Sequence, residues 1–214
     1  MIPHQTPFVL PMIYPSLTWR IKTSEKVLCL TFDDGPVPGP TDFVLDALEE
    51  RSIKATFFCI GDNVRKHPAL FHRILDNGHT VGNHTVNHLN GWKSAAPEYV
   101  DNVNGFDLIA AQAGLKEKTM LFRPPYGRIT RAQIRLLAGL RIVMWDVLSQ
   151  DYNNSLSAEQ CLRRTIRACR PGSIIVFHDS YKSKRNMEYA LPLLIDHFLK
   201  DGYSFELLPS KNIT

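Results

Sequence analysis

TFDDGP, residues 31–36, places two adjacent carboxylates, Asp33 and Asp34, at the end of an apolar run at 27–30. The run predicts a buried strand, and the Gly-Pro pair that follows allows a sharp turn. Two carboxylates at a strand end point into a cleft, which suits a catalytic or metal site. An aspartate before Gly-Pro is equally typical of a turn cap. The choice between these two interpretations depends on the sequence further along.

From residue 27 onward, short apolar runs alternate with longer amphipathic segments. Strands are predicted near 27–33, 54–60, 79–82, 119–123, 141–147, 173–178 and 203–208, and helices near 40–51, 63–77, 95–113, 130–139, 157–169 and 187–201. The strand runs are continuously apolar, which indicates a parallel sheet covered by helices. Seven such units in 214 residues favour an α/β fold of the distorted (β/α)7-type barrel class over an open sheet.

The composition fits one globular domain. A hydrophobic content of 44% is ample for a large core. Residues 1–25 contain four prolines and are expected to form an irregular N-terminal strap on a domain that spans 26–214. The four cysteines have no CxxC spacing, so we expect buried or half-buried free thiols.

The charge pattern and the N-terminus exclude several classes of partner. The net charge of +4 comes from scattered Lys and Arg, so nucleic acid is not implied. No basic residue precedes the apolar part of the N-terminus, and no apolar run has spanning length, so neither a signal peptide nor a membrane span is predicted. We expect a cytoplasmic protein, monomeric by default, with a function at the cell envelope left open.

Polar and charged residues cluster after the predicted strands. They are Asp33 and Asp34, Asp62 and Asn63, His84 and His88, Arg123, Asp146 and Asp151, and His178 and Asp179. In a parallel barrel the carboxyl ends of all strands meet on one face, where active sites of barrels are built. Residues far apart in the sequence are therefore expected to share one pocket.

His84 and His88 are four residues apart. On a helical turn, side chains at this spacing lie roughly 5–6 Å apart, close enough to hold one metal ion. Two surface histidines at a helix start are the alternative for this spacing alone. With a carboxylate from another strand end, the set suits Zn²⁺ with open positions, and Co²⁺, Ni²⁺ or Fe²⁺ accept the same ligands.

Four motifs in order resemble those of the polysaccharide deacetylases, the NodB-like domain of carbohydrate esterase family 4. They are TFDDG at 31–35, HTVNH at 84–88, RPPYG at 123–127 and IIVFHD at 174–179. The resemblance covers about residues 26–208 and agrees with the barrel predicted above. It implies metal-dependent hydrolytic removal of N-acetyl groups from amino sugars in an oligo- or polysaccharide.

The resemblance also implies roles for individual residues. Asp34, His84 and His88 correspond to the ligands of a divalent metal, and Asp33 to the catalytic base. A metal polarises the acetamide carbonyl and acidifies water, and an unligated carboxylate beside it takes the proton. His178 corresponds to the general acid that protonates the departing amine, although outside this set it would be interpreted as a core histidine.

Two further roles concern orientation and charge stabilisation. Arg123 corresponds to the arginine that orients the base, and Tyr126 to the residue whose backbone N–H holds the oxyanion. The family's next motif usually reads Asp-x-x-Asp-Trp. Here Asp151 matches its second aspartate and is expected to lie behind Arg123, while Leu148 and Tyr152 replace the first aspartate and the tryptophan. Without these motifs, Arg123 would be interpreted as part of a surface ion pair and Tyr126 as a packing residue.

The expected substrate contacts are Pro124, Trp92, Val176 and Tyr152. Val176 stands where the family often has a leucine that lines the acetyl pocket, and strand core is its alternative. Trp92 is suited to stacking on a sugar ring, or to packing against a helix. Tyr152 in place of tryptophan alters the aromatic wall.

Two other function classes are considered. One is a related metal-dependent C–N hydrolase that acts on a small non-sugar amide, because a fold does not fix a substrate. The other is a non-catalytic carbohydrate-binding protein, whose signature would be the loss of a base, an acid or a ligand. None of these is lost in this sequence.

Overall fold

One curled parallel sheet organises the chain in the computed structural model, which describes residues 3–209. Its strands are β1 Val27–Asp33, β2 Thr56–Cys59, β3 Thr80–Asn83, β4 Leu121–Phe122, β5 Arg141–Ile142, β6 Val147–Leu148, β7 Ile174–His178 and β8 Ser204–Phe205. Seven follow the order β5-β4-β3-β2-β1-β7-β6, and β8 pairs with β1. Every pairing between strands is parallel, so the predicted α/β distorted-barrel class is confirmed.

Helices connect the strands, as the sequence predicts. They are α1 Val9–Ile13, α2 Pro40–Glu49, α3 Gly61–Lys66, α4 Pro68–Asp76, α5 Ala96–Gln112, α6 Arg131–Leu136, α7 Ala158–Ala168 and α8 Lys184–Lys200. Pro68 divides the predicted helix at 63–77 into α3 and α4, because proline lacks the N–H that would continue the ladder. Within residues 3–209, no helix is long and apolar enough to cross a membrane.

β1 lies at the centre of the sheet and of the main core. It pairs with β2 on one side and β7 on the other, and all seven of its residues are buried. Phe32 stacks on Phe57 and Phe177, with ring centroids 5.1 and 6.3 Å apart. Burial on both faces explains why the strand is continuously apolar up to its terminal carboxylate.

The prediction of a single fifth strand at 141–147 is wrong. This segment forms two short strands at opposite edges of the sheet, with β5 beside β4 and β6 beside β7. Asp146 therefore precedes β6, where its carboxylate accepts hydrogen bonds at 2.7 Å from Arg170 and from the Ser173 hydroxyl. It does not lie at a carboxyl strand end, contrary to its expected place in the cleft.

The N-terminal segment lies along the gap between the two sheet edges. Thr18 forms a parallel bridge with Val143, and Gln5 forms an antiparallel bridge with Val147. Trp19 is 8% exposed and belongs to a second core cluster. The segment covers backbone groups that open sheet edges would otherwise expose. It was expected to be irregular, and it contains the short helix α1.

The four cysteines are free thiols, as predicted. Cys29, Cys59 and Cys161 are buried, and Cys169 is half-buried. Burial raises the pKa of Cys29 and of Cys161 to about 12, so both thiols stay protonated at neutral pH.

Replacing Trp19 by Ala tests whether the N-terminal segment stabilises the sheet. Removing this buried indole should lower the free energy of unfolding by about 3 kcal/mol, because it leaves a cavity in the second core cluster. Chemical denaturation measures the change. Phe8→Ala, at a side chain that is 82% exposed in the same segment, is the control and should leave stability nearly unchanged. Equal effects of the two substitutions would contradict the packing described here.

Candidate active site

Asp34, His84 and His88 converge at the carboxyl ends of β1 and β3. Each offers a ligand atom, and these atoms all lie within 4.8 Å of one another. Asp34 Oδ1 is 3.2 Å from His88 Nε2 and 3.8 Å from His84 Nε2. This oxygen is buried and has no hydrogen-bond partner within residues 3–209. A buried carboxylate oxygen without a partner is costly, and two imidazoles and a carboxylate fit a divalent cation.

The imidazole of His84 is held in one orientation and one protonation state. Its Nδ1 lies 2.8 Å from the carbonyl oxygen of Arg123, which can only accept, so Nδ1 carries the proton and Nε2 keeps its lone pair. Burial lowers the pKa of His84 to about 4. The ring is therefore neutral at pH 7, which is the form that binds a metal.

The carboxyl group of Asp34 stays ionised in this setting. Burial alone would raise its pKa, but the contact with His88 and the positive charge of His178 hold it well below its usual range. An ionised carboxylate with a free oxygen is the form that a cation requires.

The expected helical turn at 84–88 is wrong. These residues form a turn in which Thr85 and His88 have positive φ, 67° and 59°. Asn83 Oδ1 accepts from the Thr85 N–H at 2.8 Å, and Thr85 Oγ1 accepts from the Leu89 N–H at 3.1 Å. The turn nevertheless brings the two imidazole rings to a centroid distance of 5.1 Å. Side-chain bonds thus stabilise a strained backbone at the site.

Asp33 faces a different partner. Its Oδ1 accepts a hydrogen bond at 2.7 Å from Nη1 of Arg123, which is fully buried. The guanidinium also donates to Thr31 Oγ1 at 2.8 Å and to the carbonyl oxygens of Val143 and Met144. Burial lowers the pKa of Arg123, and the charge of Asp33 opposes that shift. The predicted contact between Arg123 and Asp33 is present.

The prediction that Asp151 lies behind Arg123 is wrong, because Asp151 binds His178. Its Oδ1 is 2.8 Å from His178 Nδ1, and its Oδ2 accepts from the His178 N–H at 2.7 Å. The reason is strand order: Asp151 follows β6, and β6 pairs with β7, which ends at His178. Burial lowers the pKa of His178, but the charge and hydrogen bond of Asp151 raise it to about 9 overall. The imidazole is therefore protonated at neutral pH.

Tyr126 joins the site through its side chain as well as its backbone. It lies in the turn Pro125–Gly127 with a φ of 61°. Its ring meets the ring of His88 edge-on at 4.5 Å, and its hydroxyl lies 3.1 Å from His88 Nδ1. The family resemblance implies a role only for the backbone N–H, and no sequence signal points to the contact of the hydroxyl.

The expected substrate contacts differ in their exposure. Trp92 is 65% exposed, so its indole is open to solvent. Tyr152 packs edge-on at 5.1 Å against the ring of His178, the expected general acid. Pro124 is buried beside Arg123. Val176 is fully buried in β7, opposite Thr31 of β1, which agrees with the strand-core alternative.

Asp179 supports the turn after the two aspartates, a role that the sequence analysis missed. Its carboxylate accepts from the Gly35 N–H at 3.0 Å and from the Thr41 hydroxyl at 2.6 Å. A Cβ on Gly35 would lie 1.9 Å from Asp179 Oδ2, so only glycine permits this approach. Burial and the charge of Asp34 raise the pKa of Asp179 to about 8, against the lowering effect of these hydrogen bonds.

Comparisons with known proteins agree with this geometry. A family described as polysaccharide deacetylase matches residues 20–145. A peptidoglycan-N-acetylglucosamine deacetylase of Bacillus cereus is 32% identical over 196 residues, 88% of this chain and 89% of the relative. A chitooligosaccharide deacetylase of Bradyrhizobium is 32% identical over 200 residues, 87% of this chain and 91% of the relative.

A solved structure extends the similarity to three dimensions. A peptidoglycan N-acetylglucosamine deacetylase in complex with 4-naphthalen-1-yl-N-oxidanyl-benzamide superimposes with a TM-score of 0.88 at 31% identity, covering 96% of each chain. The family match spans more than half of the chain, and the relatives cover nearly all of it. The chain therefore belongs to the polysaccharide deacetylase family, a family of metal-dependent hydrolases.

Proposed function

We propose that this enzyme removes N-acetyl groups from an amino sugar in an oligo- or polysaccharide related to peptidoglycan or chitin. The observation that supports this most directly is the separation of the two adjacent aspartates: Asp33 contacts a buried guanidinium, whereas Asp34 faces two histidines. One carboxylate is thereby available as a base beside a cation site. The relatives that act on such saccharides support the substrate class.

Asp34, His84 and His88 are assigned as the metal ligands, and Zn²⁺ suits two imidazoles and one carboxylate. A divalent cation bound there polarises the acetamide carbonyl and makes water more acidic. The chain's own contribution is to orient the ligands, through the bond from His84 to the Arg123 carbonyl and the contact of His88 with Tyr126.

Asp33 acts as the general base. Its carboxylate takes a proton from the attacking water, whose oxygen forms the new bond to the acetyl carbon. Arg123 keeps one carboxylate oxygen in place through its hydrogen bond at 2.7 Å. The oxyanion that develops on the carbonyl is assigned to the backbone N–H of Tyr126, for which no residue in 3–209 acts as acceptor.

His178 acts as the general acid. It is the β7 partner of Asp33 in the register, so acid and base flank the same site from neighbouring strands. Its imidazolium donates a proton to the sugar nitrogen as the C–N bond breaks, which releases acetate and the free amine. Asp151 keeps the imidazole protonated and fixes its orientation. Trp92 and Tyr152 are assigned to contacts with the saccharide.

Acetate release from a substrate panel tests the function. We expect turnover of N-acetylated chito-oligosaccharides or peptidoglycan fragments, loss of turnover after chelation, and recovery when Zn²⁺ is added back. The panel includes small non-sugar amides as a control for the related C–N hydrolase activity. Acetate release from those amides alone would contradict the assignment of an amino-sugar substrate.

Metal content separates the roles of the two aspartates and the histidines. His88→Ala should lose bound zinc and activity together, because it removes one of three ligands. Asp33→Asn should retain zinc and lose kcat by about 1,000-fold, because it removes only the base. Elemental analysis beside kinetics measures both quantities. A zinc-free Asp33→Asn protein, or an active one, would show that Asp33 has another role.

The pH dependence tests the pairing of Asp151 with His178. In the metal-free protein, the His178 imidazole should titrate near pH 9, as NMR can measure. Asp151→Asn removes the negative charge while burial remains, so the pKa of His178 should fall and the basic limb of kcat/KM should move to lower pH.

The control for that experiment is Asp146→Asn. Asp146 is a buried carboxylate that binds Arg170 and does not contact His178. The Asp146→Asn substitution should leave the pH dependence of kcat/KM unchanged even if it lowers stability. If Asp151→Asn left the basic limb unmoved, His178 would not be the acid that sets it.

A further inference from the structure

A cavity of about 310 Å³ lies next to the proposed metal site and shares Tyr126 with it. Seven of its thirteen lining residues belong to the N-terminal segment, including Leu10, Leu17 and Trp19. The others include Trp92, on the turn after the second histidine. The size is at the lower end of the range of roughly 300–1,000 Å³ for small-molecule sites, which suits one short chain or ring.

The lining of the cavity is apolar. None of its thirteen residues is charged. The polar groups of three of them already have partners: Thr6 Oγ1 donates to the Trp145 carbonyl at 2.6 Å, and the indole N–H groups of Trp19 and Trp92 donate to carbonyl oxygens at 3.1 and 3.3 Å. Aliphatic and aromatic side chains make up most of the lining, so the cavity favours an apolar ligand.

The cavity adjoins the catalytic site through one side chain. The ring of Tyr126 lies against His88 at 4.5 Å and also lines the cavity. Tyr126 and Trp92 are 58% and 65% exposed, so both rings are accessible from solvent. The cavity therefore lies within one tyrosine ring of a proposed metal ligand.

We propose that this cavity binds an apolar substituent, a short alkyl chain or an aromatic ring, carried by the amino sugar that occupies the metal site. The inference rests on the proposed deacetylase function and makes its substrate more specific. Seven of the thirteen lining residues come from the N-terminal segment. In this proposal, the N-terminal segment contributes to substrate specificity through the lining of the cavity.

Binding of two matched glycosides tests the proposal. The methyl and octyl β-glycosides of N-acetylglucosamine share the sugar and differ only in the alkyl group. Calorimetry, with the octyl compound below the concentration at which it forms micelles, should give a Kd for the octyl glycoside lower by about ten-fold or more, because the chain leaves water. Equal Kd values would overturn the proposal.

A substitution that fills the cavity distinguishes binding in this cavity from nonspecific binding of the alkyl chain elsewhere on the protein. Leu10→Trp places a larger side chain at the cavity wall and should bring the ratio of the two Kd values close to one. Leu193→Trp, at an exposed position on α8, is the matched control and should keep the ratio. A preference that survives Leu10→Trp would overturn the assignment. If that variant does not fold, Leu10→Phe provides the same comparison with a smaller filling.

These outcomes are independent of the proposed chemistry. Calorimetry measures binding whether or not acetate is released. An inactive enzyme that still binds the octyl glycoside more tightly would contradict the deacetylase function and support the proposed ligand of the cavity. An active enzyme with equal affinity for both glycosides keeps the function and contradicts the cavity.

Discussion

The buried ion pair between Arg123 and Asp33 is the interaction on which the site depends. Arg123 follows β4 and Asp33 ends β1, two strands that are separated by β2 and β3 in the sheet. The guanidinium reaches Asp33 only because the sheet curls. A buried charge is costly unless all its hydrogen bonds are made, and removing one partner of such a pair typically costs about 3–5 kcal/mol. Here Thr31 and two backbone carbonyls complete the set of acceptors.

This pair explains how two neighbouring carboxylates coexist at one strand end. Adjacent anions repel, and the repulsion normally raises one of the two pKa values. Asp33 is balanced by the guanidinium, and Asp34 by the protonated His178, so each carboxylate has its own source of positive charge. Asp179 braces the turn that follows, through the Gly35 N–H. The two aspartates are thereby committed to different partners before any substrate binds.

The sequence predicted the features that depend on local pattern. Alternating β and α segments indicated the barrel class, and polar residues after apolar runs located the converging ends of β1, β3, β4 and β7, whereas Asp146 proved to precede β6. The wrong predictions concern which residues become neighbours when the chain folds. Motif order placed Asp151 beside Arg123, but the pairing of β6 with β7 puts it beside His178. The i, i+4 spacing suggested a helical turn, whereas side-chain bonds from Asn83 and Thr85 form a different one.

Other features were beyond the reach of sequence because they join distant segments. The contacts of Asp179 with Gly35 and of the N-terminal segment with both sheet edges need the assembled fold.

The division of roles between Asp33 and Asp34 is tested most directly by anomalous diffraction from crystals grown with Zn²⁺. We predict one strong peak about 2.0–2.2 Å from Asp34, His84 Nε2 and His88 Nε2, with Asp33 still bound to Arg123. A peak ligated by Asp33, or one away from these three residues, would contradict the division of roles between the two aspartates.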